Sequence, residues 1–165
     1  MLDGIDVETG VDFLENKESF EKSSKKIVFT GPIDELFNYE HGDLEWRSLK
    51  FDHKRLEIPD YQGNAAINYT SADVPYTRIV EHKHFEFGNQ DHTVITTEYP
   101  DSWSRGKEKY YPIDNEDNRE RLHKYREMVD ERYILGGRLA DYKYYDMHQV
   151  VGSAIVRSSK EIRNA

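Results

Sequence analysis

"YTRIVEHKHFEFGNQDHTVITTEYP", residues 76–100, holds two β-branched and aromatic runs separated by the turn-forming "GNQD". Two such runs joined by a short polar turn read as neighbouring strands of an antiparallel sheet. The pattern extends upstream. "LEWRSLKFDHKRLE" (44–57) and "NAAINYT" (64–70) have the same character, set off by "PDYQGN" (59–64) and "SADVP" (71–75). Residues 44 to 100 therefore read as strands without long helices. Helices flank them. "IDNEDNRERLHKYREMVDERY" (113–133) carries Leu122, Tyr125, Met128 or Val129 and Tyr133 at roughly helical spacing, predicting a helix over about 115–131. "DMHQVVGSAIVRSSKEI" (146–162) predicts another, with Asp146 as N-cap and Met147, Val150, Val151, Ala154 and Ile155 as its apolar side.

The ends of the chain are harder to read. "IDVETGVDFLE" (5–15) alternates like a half-buried strand, "NKESFEKSSKK" (16–26) reads as a polar connection, and "KIVFTGP" (26–32) as a short buried strand stopped by Gly-Pro. "YIL" (133–135) is a further short strand. The expected class is α+β, mainly an antiparallel sheet with flanking helices. Residues 41–133 would form the sheet domain with one helix, and 1–40 with 134–165 a second set of strand and helix pieces.

At 165 residues the chain is long enough to bury a sizeable core. Its aromatic content of 13%, with 12 Tyr, argues against disorder. A net charge of −9 makes it a poor general partner for nucleic acid or an anionic membrane, so neither is expected. With no cysteine, disulfides, thiolate catalysis and thiolate zinc sites are excluded. No run approaches the ~18 apolar residues of a membrane span, and "MLDGIDVETG" has no signal-peptide character. A cytoplasmic location is expected.

Three constellations concentrate chemistry. In "GGRLADYKYYDMHQ" (136–149), two glycines permit close approaches, and Arg138 could fork onto an oxyanion. The helix beginning near Asp146 presents unpaired N–H groups. Alone, Gly-Gly-Arg is more often a solvated strand-to-helix connection. Adding Tyr142, Tyr144, Tyr145, Asp146 and His148 tips the reading toward a site. In "VPYTRIVEHKHF" (74–85), strand alternation puts Tyr76, Arg78, His82 and His84 on one face, with Ile79, Phe85 and Phe87 on the other. The H-x-H pair raises a metal question, but two histidines without a third ligand are ordinarily surface residues, so no metal is expected. In "EKYYPID" (108–114), Tyr110 and Tyr111 lie in an extended segment before Pro112 and serve equally as edge packing or as hydroxyl donors. Asn64, Asn68 and Tyr69 are similarly ambiguous. No nucleophile elbow and no G-x-G-x-x-G or P-loop is present.

"VFTGPIDELFNY" (28–39), "LEWRSLKF" (44–51), "YQGNAAINYT" (61–70), "VPYTRIVEHKHFEF" (74–87), "TVITTEYP" (93–100), "YYPI" (110–113) and "GGRLADYKYYDMHQV" (136–150) together resemble the UDP-galactopyranose mutase family. Members are FAD-dependent isomerases that interconvert the pyranose and furanose forms of UDP-galactose. The resemblance runs in order from about Leu2 into the last helix, and is closest to the C-terminal portion of a bacterial-type enzyme. It implies that residues 1–40 and 134–165 are the trailing pieces of an incomplete, Rossmann-like FAD-binding domain. The Gly-rich βαβ unit and most of the helical uridine-binding domain would lie outside these residues.

The resemblance also implies roles. Arg78, Tyr111 and Tyr144 match residues that bind the substrate diphosphate, and Asn68 a further substrate contact. The tyrosine pair leaves Tyr110 as an alternative to Tyr111. Thr30, Gly31 and Pro32 match a turn passing close to the flavin. Gly137 and Arg138, with Tyr145, Asp146, Met147, His148, Gln149 and Val150, match the segment beneath it. Arg47 lies in a conspicuous motif without a definite role. In the family, reduced FAD carries the chemistry, with flavin N5 attacking the anomeric carbon as UDP leaves. No protein side chain is then the nucleophile, and Arg78 would counter the departing charge. The expectation for this chain alone is an inactive part of the isomerase that does not retain FAD, with UDP-galactose as the substrate of the whole. A non-catalytic sugar-nucleotide binding module is the alternative. Apolar faces left uncovered would favour a homodimer.

Overall fold

A computed structural model describes residues 2–164, which divide into two compact units: residues 2–44 with 114–164, and Glu45–Ile113. The second unit is a five-stranded antiparallel sheet in the order β3-β4-β5-β2-β6. Its strands are β2 (Trp46–Leu56), β3 (Ala66–Asn68), β4 (Arg78–Glu81), β5 (Thr93–Ser102) and β6 (Tyr111–Pro112). The long pair sets the frame. β2 and β5 are matched residue for residue from Arg47 opposite Ser102 to Leu56 opposite Thr93. Cross-strand partners share a face of a sheet and successive residues alternate, so this register decides the environment of every side chain in the unit. One face buries Trp46, Ser48, Ile79, Glu81, Thr93, Ile95 and Thr97. The other presents Arg47, Phe51 and His53, all exposed.

The first unit carries a two-stranded parallel sheet, β1 (Ile27–Phe29) beside β7 (Tyr133–Leu135). With it go the helices α1 (Lys17–Ser23), α2 (Ile33–Leu36), α3 (Glu116–Glu127), α4 (Gly137–Asp141) and α5 (Met147–Asn164). Phe29, Leu36 and Ala140 form its buried cluster, with Phe13, Leu14, Phe37, Tyr133 and Leu135 packed around it. Asn115 caps α3 by accepting a hydrogen bond from the Asn118 N–H at 2.8 Å. Tyr125 of α3 is fully buried; its hydroxyl donates to the Gly42 carbonyl and accepts from the His41 N–H. α5 is tied down by Arg157, whose guanidinium holds the Asp141 carboxylate at 2.8 and 2.9 Å and donates to the Leu135 carbonyl.

Several expectations are corrected here. Residues 5–15 form no strand: Ile5, Val7 and Val11 are exposed, and Gly4 and Gly10 turn the backbone at positive φ. Asp12 instead closes a turn by accepting from the Leu14 N–H, which aims Phe13 and Leu14 at the core. The expected polar connection holds α1, whose Phe20 stacks on Phe13. β4 stops at Glu81, and His82–Phe85 form a 3-10 turn. α3 ends near Met128, so Tyr133 belongs to β7. A short helix, α4, also intervenes before α5, closed by Tyr142 in the left-handed region at φ 48°.

Burial, and then a hydrogen bond to Glu21, push the Tyr133 hydroxyl well above its usual value near 10. The native state therefore keeps this proton after the unfolded chain has lost it, and stability falls as pH rises above about 10. In Tyr133→Phe, circular dichroism melts from pH 9 to 11 should show a weaker alkaline loss than in the parent.

Candidate functional site

The sheet register gathers residues that are far apart in sequence. Asn68 lies opposite Arg78, Arg78 opposite Glu98, and Glu98 opposite Phe51, one row across four strands on the exposed face. Arg78 Nε donates to Asn68 Oδ1 at 2.8 Å, and its terminal nitrogen sits 3.7 Å from the Glu98 carboxylate. The guanidinium is thus braced from both sides while 41% of the side chain stays exposed. A braced, partly open fork suits recognition of a phosphate or carboxylate. Glu98 escaped the sequence reading; its period-2 offset from Thr96 and Pro100 was visible, but its pairing with Arg78 depends on register.

Tyr111 joins the same face by pairing with Arg47. Tyr110 does so by a different route. The ladder assigns the Arg47 carbonyl to Tyr111, yet the Tyr110 N–H donates to it at 3.1 Å, while Ile113 keeps its regular bond to Glu45. Two residues oppose one, which is a β-bulge. The Tyr110 ring packs edge-on against Phe51, 5.8 Å between centroids, so both tyrosines lie on the Arg78 side. Tyr76 does not share that side as the alternation predicted. Its ring packs on Tyr69 and on Tyr99, a residue of the opposite face. The H-x-H pair also separates. His82 Nε2 bonds to Thr96 Oγ1, which also meets His53 Nδ1, whereas His84 turns toward Glu81 and Asp60.

In the first unit, β1 and β7 run parallel and both end in glycine turns that lead into α2 and α4. Gly31 is packed so tightly that an added Cβ would meet the Phe29 ring at 2.7 Å. Gly137, at φ 83°, has the Thr30 Cβ 3.9 Å from where its own Cβ would be. Thr30, Gly31, Pro32, Gly137 and Arg138 thus come together beyond the carboxyl ends of two parallel strands, where ligands of open α/β sheets sit. Arg138 lies over the Tyr144 ring at 5.2 Å. The Tyr145 hydroxyl bonds to the Asp141 carboxylate at 3.0 Å. Asp146 opens α5, accepting from the N–H groups of Gln149 and Val150, and the Gln149 side chain accepts the Asp146 N–H at 2.9 Å. That is half of a capping box. Met147, His148 and Gln149 in the first turn are exposed and Val150 is half-buried. A cavity lined by His41, Asp117, Glu120, Arg121 and Lys124 lies elsewhere in this unit, and none of the residues singled out from sequence lines it.

A family model described as UDP-galactopyranose mutase matches residues 1–144. The chain belongs to that family. Among its relatives is a Klebsiella pneumoniae protein named "Probable UDP-galactopyranose mutase", 34% identical over 157 residues, 93% of this chain and 40% of that protein. A dTDP-fucopyranose mutase of Escherichia coli is 34% identical over 84% of the chain and 37% of its own length. The UDP-galactopyranose mutase of Mycoplasma genitalium is 35% identical over 82% and 35%. The chain therefore spans about two fifths of the length of these mutase relatives. No helix among the described residues is long and apolar enough to cross a membrane.

The Arg78 brace can be tested by itself. Asn68→Ala should expose the Arg78 Nε–H, so that its NMR resonance shifts and its proton exchanges faster with water. Because the contact is solvent-exposed, stability should change by less than about 1 kcal/mol. Trp46 and Trp103 both lie in the sheet unit, so denaturation followed by tryptophan fluorescence reads that unit alone.

Proposed function

We propose that this chain is the substrate-facing part of a flavin-dependent mutase that interconverts the pyranose and furanose forms of UDP-galactose. The observation that carries the reading is the row of Asn68, Arg78 and Glu98, with Tyr110 and Tyr111, on one exposed sheet face. Family membership says what such a face would hold. Arg78 would take the diphosphate through the guanidinium edge that Asn68 and Glu98 leave open. Tyr110 and Tyr111 would fix it by hydroxyl hydrogen bonds. Countering negative charge as UDP departs, from groups already in position, is electrostatic and positional catalysis.

The residues at the ends of β1 and β7 fit one edge of FAD. Gly31 and Gly137 admit a close approach of backbone, and α5 offers the N–H groups of its first turn. Reduced FAD, when bound, would supply the nucleophile for the anomeric carbon. Around this edge the surface is open. Val28 of β1 is 66% exposed, and Met147, Val151, Ile155 and Ile162 leave an apolar stripe of α5 uncovered. This pattern supports an incomplete Rossmann-like FAD domain in residues 1–40 and 134–165, and a chain that by itself neither retains FAD nor turns over substrate. Uncovered apolar surface of this kind also favours self-association.

A visible absorption spectrum of the purified chain, with an assay of UDP-galactofuranose conversion, tests the reading. The expected result is no stoichiometric flavin and no turnover; bound FAD with real turnover would sink the claim of inactivity. The self-contained Arg78 row, all within one unit, favours a second reading as a sugar-nucleotide binding module. Micromolar UDP binding by calorimetry, lost in Arg78→Ala, would support it. Truncating one partner of a buried charge pair costs ~2–5 kcal/mol, and the exposure of Arg78 places this loss at the low end.

A further inference from the structure

The histidine that leaves the Arg78 face enters a different cluster at the edge of the sheet. Glu81, the last residue of β4, is fully buried, yet among the described residues no lysine or arginine pairs with its carboxylate. Its oxygens accept from the N–H groups of Tyr61 and Gln62 and from the Thr93 hydroxyl at 2.7 Å. The neighbouring cation, Lys83, is turned away and is spent on the carbonyls of Pro59, Gln90 and His92. Beside such hydrogen bonds, buried carboxylates are commonly paired with a cation or bound to a metal ion.

What faces it is His84 Nε2, an atom closed to solvent and without a hydrogen-bond partner. It lies 3.3 Å from Glu81 Oε2 and 3.5 Å from Asp60 Oδ2. The three ligand atoms all fall within 4.8 Å of one another. An imidazolium donating to a carboxylate would approach to about 2.7–2.9 Å, closer than either distance. The two His84 spacings match the ~3.4 Å edge of a tetrahedron of N and O ligands around zinc, given bonds near 2.1 Å. The supporting shell also has the required form. The Tyr61 and Gln62 N–H groups orient the Glu81 carboxylate, and the Gly63 N–H holds Asp60 Oδ1 at 2.6 Å, leaving Oδ2 toward His84.

We propose that Asp60, Glu81 and His84 form a divalent transition-metal site of zinc type, with a fourth position open to water. The site would join the 59–64 loop, which leads into β3 and Asn68, to the end of β4. This inference stands on the sheet unit alone and is independent of the mutase reading.

The test is calorimetric titration of the tag-free, chelator-treated chain with Zn²⁺, together with the visible spectrum of its Co²⁺ form. The expected result is one ion per chain, a Co²⁺ spectrum of four-coordinate type, and a rise in melting temperature on adding Zn²⁺. Asp60→Asn and His84→Ala should each weaken binding at least about tenfold. Asp60 is exposed, so its variant keeps the fold, verified by circular dichroism, even where His84→Ala does not. His53→Ala, which removes the imidazole beside Thr96, should leave affinity unchanged. Absence of saturable binding, binding that Asp60→Asn leaves intact, or binding lost equally in His53→Ala would each overturn the site.

Discussion

The ten-pair register between β2 and β5 is the constraint on which the sheet unit depends. Side chains on a strand alternate with period two, so a slip of one residue would exchange the two faces. Leu56 opposite Thr93 at one end and Arg47 opposite Ser102 at the other leave no room for such a slip. Ile95 and Thr97 then point to the buried side and Glu98 to the open one, and β4 inherits the same parity through Arg78 opposite Glu98. Arg78 is therefore aimed by hydrophobic burial several residues away as much as by its own contacts. The same parity places Glu81 in the interior, where its carboxylate depends on backbone donors.

The first unit uses a different device. There the geometry is set by backbone, because two parallel strands end side by side in glycines that admit no substitute without displacement. Gly31 is limited by the Phe29 ring and Gly137 by its torsion. Arg157 then fastens α5 to the end of α4 and to the β7 carbonyl. Side chains and backbone thus divide the work between the two units. The sheet face offers charged and hydroxyl groups, while the strand ends offer closeness of approach.

Much of the fold was legible because the signals were long. β2 and β5 spread strand formers over ten residues or more, and α5 has a cap and an apolar stripe. Short elements misled. Ile5, Val7, Val11 and Phe13 have the spacing of a strand, but no strand among the described residues pairs with them, and only Phe13 reaches a core. α1 has one buried-facing aromatic, Phe20, too little for periodicity to register. Over 76–84 the alternation stops at Glu81, where the strand gives way to the His82–Phe85 3-10 turn. The site was legible as motif rather than geometry. Asn68, Arg78 and the tyrosine pair stood out by residue type, whereas Glu98 as the brace of Arg78 and His84 as the neighbour of Glu81 required the register and the turn.

The bulge at Tyr110 bears on how such an edge could change over time. A regular ladder would send one of two consecutive rings through to the interior, and enlarging that aromatic would disturb the core. Because the extra residue turns both rings outward, neither is held by the packing of the buried side. The edge can therefore trade one phenol for another group, or shift its hydroxyl by a residue, while β2 and the strands beyond it keep their places. Variation in what the face grips is in this way uncoupled from the stability of the sheet that carries it.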